Sequence, residues 1–164
     1  MPTIDGPKAF WDLIERCECT FARLEKELGA LDERGLENFH GLYSVLADDA
    51  LIEDEIYYAP ADLYLSEDGM EDFGWWVIPQ GRAFFDALTF ETMPLADALK
   101  MHMEGKPPRV WQDGGPRQFS ATNFMELARA VFESRFGEFD YDRGMKARER
   151  AYKLRDAEYA QASR

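Results

Sequence analysis

Phe10, Leu13, Ile14, Cys17, Phe21, Leu24 and Leu28 recur at steps of three and four, the spacing that gathers apolar side chains on one face of an α-helix. The same period returns in Leu36, Phe39, Tyr43, Leu46 and Ala50, and again in Phe124, Leu127, Ala128, Val131 and Phe132. No stretch shows a convincing alternation of apolar and polar residues, the pattern of a half-buried strand. The expectation is an all-α fold, a single-domain compact bundle of about six helices ending in a charged C-terminal helix. At 164 residues one core suffices, because a chain of this length buries roughly 68–70% of its unfolded surface.

Punctuation residues set the expected boundaries. A first helix starts near Asp5 and Pro7 and stops at Gly29, and a second runs from about Asp32 to Ala50. A third apolar set, Leu51 to Leu65, is interrupted by Pro60, which removes a backbone donor. Asp68 with Glu71 three residues later reads as a capping box for the next helix. Pro79 and Gly81 predict a kink in that helix. A short helix follows from Pro94 to Met103, entered through Thr92, and the Gly- and Pro-rich residues 105–118 read as a long surface loop. Ser120 or Thr122 caps a helix that Gly137 closes. From about Tyr141 a thin stripe of Met145, Tyr152 and Tyr159 recurs by sevens in a charged stretch, so residues 1–140 form an acidic helical domain and 141–164 a basic C-terminal helix or tail.

Charge narrows the partners. The net charge is −13, and the 47 residues from Gly35 to Gly81 hold eleven Asp or Glu and no Lys or Arg. An acidic body repels a phosphate backbone, so nucleic-acid binding is not expected. Cys17 and Cys19 are two residues apart and on a helix would point in nearly opposite directions, so neither a mutual disulfide nor a shared metal is expected. Without a charged-then-apolar leader or a long apolar run, the expected compartment is the cytoplasm, with reduced thiols and no membrane span.

FWDLIE (Phe10 to Glu15), SEDGMEDFGWWVIPQGRAFFDAL (Ser66 to Leu88) and LADAL (Leu95 to Leu99) together resemble the domain-of-unknown-function family 4240. That family is typified by an early Phe-Trp-x-Leu-Ile, a Ser-Asp-Asp-Gly-Phe segment and a Trp-Leu-Ile-x-Gln-Gly run. The likeness spans roughly residues 7 to 100 and departs from the pattern at Glu67, Met70, Pro79 and Pro60. It implies a mostly helical bacterial protein and supplies no activity or catalytic residues.

Site chemistry concentrates in the second of those segments. Glu67, Asp68, Glu71 and Asp72 offer hard oxygen donors at i,i+4 spacing, which makes them weak candidates for Mg²⁺ or Ca²⁺. Dipole complementation at a helix start explains the same acids more simply, so no metal or other cofactor is expected. Gln80 and Arg82, with Trp75 nearby, are the candidate ligand-binding residues, an amide and a guanidinium brought beside the interior by the kink. The two histidines, His40 and His102, match no catalytic motif, although a Cys17–His40 pair is conceivable. The sequence therefore argues against an enzyme. It points to an acidic interaction or regulatory module, such as one of the immunity type, anchored on a basic protein partner by exposed Trp75, Trp111 or tyrosines. The alternative is a small-molecule or divalent-metal-binding protein or enzyme with a pocket at Gln80 and Arg82. The basic residues after Asp140 are expected either to dock on the body or to form a homodimer.

Overall fold

A computed structural model describes residues 2–51, 61–90, 92–112 and 122–163. Among them are eight α-helices and no strand. They are α1 (Pro7–Arg16), α2 (Phe21–Gly29), α3 (Glu33–Asp49), α4 (Glu67–Val77), α5 (Arg82–Thr89), α6 (Leu95–Met103), α7 (Thr122–Phe136) and α8 (Tyr141–Ala162). The all-α expectation holds, with more helices than the six expected because two apolar runs are broken. Most of the third apolar set, the interior of the Leu51–Leu65 stretch, lies outside the described residues, as do residues 113–118 of the expected surface loop. Contacts divide the chain into two compact units, one made of Met1–Val45 with Trp111–Arg164 and the other of Leu46–Val110.

In the first unit the expected helix from Pro7 to Gly29 is two helices. Glu18 and Cys19 take φ of 48° and 55°, left-handed conformations that no α-helix accommodates. Thr20 is then extended and bridges Gln112 in parallel. Gln112 N–H donates to the Cys19 carbonyl at 2.8 Å, and its own carbonyl accepts from Phe21 N–H at 3.0 Å. Phe21, Leu24 and Leu28 stay in phase with the earlier apolar residues across this turn, which is why periodicity alone joined them. The core is strongly aromatic. Phe10 lies 5.0 Å from Phe39 and 5.2 Å from Trp11 between ring centroids, and Trp111 lies 4.6 Å from Phe124. Trp111, expected at the surface, is buried. Arg135 closes the top of α7 by donating from Nη1 to the carbonyls of Gly29 and Leu31, both at 2.8 Å, groups that the end of α2 leaves without helical partners.

The C-terminal helix docks, and by a face that hydropathy does not mark. Asp140 caps α8 by accepting from Arg143 N–H at 2.8 Å. Ala147 and Ala151 are buried, whereas Met145 and Tyr159 are exposed. Alanine fits there because the opposite residue on α3 is Gly41, so close that a Cβ on it would lie 2.7 Å from the Ala147 carbonyl carbon. Around this contact Arg143 donates to Glu33 at 2.8 Å and to Glu37 at 2.7 Å, and Arg150 also donates to Glu37. Glu37 is itself buried, so its two arginines answer a carboxylate that would otherwise be costly inside.

In the second unit α4 ends at Val77, residues 78–80 tighten into a 3₁₀ turn, and α5 begins at Arg82. The expected kink is thus a full break, with Gly81 at φ 92°, a region open to glycine and strained for other residues. The helix start also differs in detail from expectation. Ser66, not Asp68, caps α4, its hydroxyl accepting from Gly69 N–H at 3.2 Å, and Glu67 and Asp68 fall in the first turn. Phe73, Val77, Ile78, Phe85, Leu88 and Leu99 are buried. Thr92 does not cap α6, which Pro94 precedes with no side-chain cap.

Candidate functional site

In the second unit the Gln80 amide is buried and engaged at both ends. Its Nε2 donates to the Trp76 carbonyl at 2.9 Å, and its Oε1 accepts from Arg109 N–H at 3.2 Å. The first bond satisfies a carbonyl stranded where α4 stops. The second fastens residue 109, so the Arg109 guanidinium lies over Gly81, where a Cβ would sit 2.5 Å from its Nη2. Gln80 and Gly81 act as a latch for the segment that follows α6. Replacing Gln80 with leucine is expected to leave the Trp76 carbonyl and Arg109 N–H without these partners, at about 1–3 kcal/mol of stability, measured by urea denaturation. A variant as stable as the parent would refute the latch.

Arg82 begins α5, directly after this latch. It stands half exposed and pairs with Asp86, one turn along α5, at 3.4 Å. Trp75 is partly buried. Glu67, Asp68, Glu71 and Asp72 are all exposed, and the described residues contain no cluster of three His, Cys, Asp or Glu placed to hold a metal ion.

The same unit is acidic and incompletely covered. Leu46–Val110 carries fourteen Asp or Glu against four Lys or Arg, a net charge of −10. It leaves Phe90 75%, Val110 70%, Tyr64 66% and Met103 49% exposed. Sequence reasoning named tyrosines as exposed anchors but missed Phe90, Val110 and Met103, because exposure of single apolar residues is ordinary and periodicity does not say which face is left uncovered.

The first unit holds a cleft of about 520 Å³ between α3, α7 and the start of α8, with His40, Ser44, Arg129, Tyr141, Met145 and Arg148 in its wall. His40 and Ser44 are one turn apart on α3. The His40 ring packs 4.6 Å from that of Phe139, and its buried Nδ1 has no hydrogen-bond partner among the described residues. Burial, assisted by the Arg129 charge, lowers its pKa to about 4, so the ring is neutral near pH 7. Both guanidiniums are engaged, Arg129 with Glu133 at 2.9 Å and Arg148 with the Ser44 hydroxyl at 3.3 Å and the Tyr152 hydroxyl at 3.2 Å. Cys17 is buried, its thiol donates to the Leu13 carbonyl at 3.1 Å, and burial pushes its pKa up to about 12. A protonated thiol and a neutral imidazole are not an activated nucleophilic pair.

His102 in the second unit resembles His40. It packs 5.1 Å from Trp76 and 5.6 Å from Phe73, and burial lowers its pKa while Asp72 opposes the shift. For His40, whose pKa falls from 6.5 to about 4 on folding, the unfolded chain binds the extra proton between those values. Stability contributed by the neutral ring is present above pH 6.5 and is lost as pH falls toward 4, by up to about 3 kcal/mol. Urea midpoints over that range are expected to fall less steeply in His40→Leu than in the parent; parallel curves would contradict the buried neutral ring.

These features define an all-α protein with one strongly acidic unit. No family model, curated protein or solved structure matches the chain.

Proposed function

We propose that the protein is a non-enzymatic acidic interaction module that acts in the cytoplasm by binding a basic protein partner, in the manner of an immunity or regulatory protein. One observation carries this: the unit Leu46–Val110 combines a net charge of −10 with four large apolar side chains left in water, Tyr64, Phe90, Met103 and Val110. Acidic charge steers a basic surface into encounter and sets specificity, while desolvated aromatic and aliphatic anchors supply most of the affinity. The chemistry of the remaining groups agrees with this assignment. Gln80 spends its amide inside the fold, Cys17 stays protonated, and His40 stays neutral. No described helix is long and apolar enough to cross a membrane.

The test is co-purification of the tagged chain from its own cells at low salt, followed by release in a salt gradient. A basic protein is expected to be retained, to elute as salt rises, and to be lost from Phe90→Ser and Val110→Ser variants of unchanged melting temperature. Retention of no protein, or of one that neither salt nor these substitutions release, would defeat the proposal.

A further inference from the structure

The cleft of the first unit, between α3, α7 and the start of α8, carries polar groups that the fold uses only in part. On α7 the Arg129 guanidinium bonds through Nε to Glu133 at 2.9 Å, and its two Nη groups make no hydrogen bond among the described residues. The Glu138 carboxylate, exposed in the turn between α7 and α8, makes none among them either, yet its charge is felt at Arg129. Ser44 accepts from Arg148 at 3.3 Å, which leaves its own hydroxyl proton to be donated elsewhere. The same wall contains Phe139, Met145 and the His40 ring, whose Nδ1 is buried without a partner among the described residues, a state that folded chains rarely leave uncompleted. Arg148 and Asp140 are committed to the fold, Arg148 to Ser44 and Tyr152, and Asp140 to the cap of α8.

What remains is one cation and one anion with bonding capacity to spare, a hydroxyl donor and an apolar surface. The charges in the wall cancel, Arg129 and Arg148 against Glu138 and Asp140. A simple anion would meet Arg129 but also Glu138, and a simple cation the reverse. A neutral apolar molecule would take water from both charges and give nothing back. An α-amino acid carries its ammonium and its carboxylate on one carbon, so the two groups that answer it must lie near each other without being spent on each other, as Arg129 and Glu138 do. The volume of about 520 Å³ falls within the roughly 300–1,000 Å³ of small-molecule sites. We propose that this cleft binds a free α-amino acid with an apolar side chain, its carboxylate on Arg129, its ammonium on Glu138 and its side chain against Phe139 and Met145.

Isothermal titration calorimetry on the full chain tests both the ligand class and the site. L-Phenylalanine is the probe, compared with 3-phenylpropanoate, which lacks the ammonium, and phenethylamine, which lacks the carboxylate. Phenylalanine is expected to bind with a Kd of about 0.1–1 mM, and each analogue about tenfold more weakly. Arg129→Gln is expected to weaken phenylalanine about tenfold and leave phenethylamine unchanged, while Glu138→Gln weakens phenylalanine and leaves 3-phenylpropanoate unchanged. A merely structural effect of either substitution would move all three ligands together. Both side chains stand in water, and melting curves confirm that the variants fold; the comparison of ligands on the parent needs no variant. Absence of binding by phenylalanine at tenfold higher concentration overturns the proposal. So does an analogue that binds as tightly as phenylalanine, which would refute the zwitterion, or binding indifferent to both substitutions, which would place the ligand elsewhere.

Discussion

Alanine at Gly41 is expected to loosen α8 from the body and cost about 2 kcal/mol, even though alanine is the better helix former by nearly 1 kcal/mol. An added Cβ would fall 2.7 Å from the Ala147 carbonyl carbon, nearer still to its oxygen, and 3.1 Å from the Ala151 Cβ. Two of those three atoms are backbone, so no rotamer change relieves the overlap and the helix itself must withdraw. Withdrawal would draw Arg143 and Arg150 away from Glu37, leaving a buried carboxylate short of its partners. Urea denaturation should therefore show a lower midpoint for Gly41→Ala, while Gly29→Ala, with nothing within 4 Å of the new atom, changes little. A Gly41→Ala protein as stable as the parent would mean that α8 is not seated as described.

Phe10→Ala is expected to cost more, about 3–5 kcal/mol, a large share of the roughly 5–15 kcal/mol that holds a domain together. Phe10 has no exposed surface and its ring lies within 5.0 to 6.3 Å of the rings of Phe39, Trp11 and Tyr43. Those neighbours are rigid aromatics on α1 and α3, so they collapse poorly into the space left behind. Beyond the area lost, each edge-to-face contact of this kind adds about 0.5–1.5 kcal/mol. The matched comparison is Phe90→Ala, the same chemical change at a residue 75% exposed, for which less than about 0.5 kcal/mol is expected. Equal losses at the two positions would contradict the placement of both.

Helix content and most helix limits were legible in the residues themselves. The apolar spacing of Leu36 to Ala50 marked α3 within a residue of its observed ends, and Pro79 with Gly81 marked a discontinuity because each carries its backbone restriction wherever it is placed. The turn at Glu18 and Cys19 was not legible. Neither residue favours positive φ, and the turn exists because Gln112, distant in sequence, takes the hydrogen bonds on either side of it. The candidate site divided in the same way. That Gln80 lies beside the interior followed from the break that Pro79 and Gly81 impose, whereas its partner Arg109 N–H lies 29 residues away and no local pattern announces it.

What the amino-acid sequence determined by itself is therefore the set of properties that each residue carries locally: helical period, backbone restrictions and the excess of negative charge. What only the tertiary structure decided is which faces are used. Ala147 and Ala151 carry almost no hydropathy signal, yet they seat α8 because Gly41 lets the two helices approach; Met145 and Tyr159 carry a strong one, yet they remain in water. Burial depends on the shape of the surface opposite, and that surface is assembled from residues far apart in the chain.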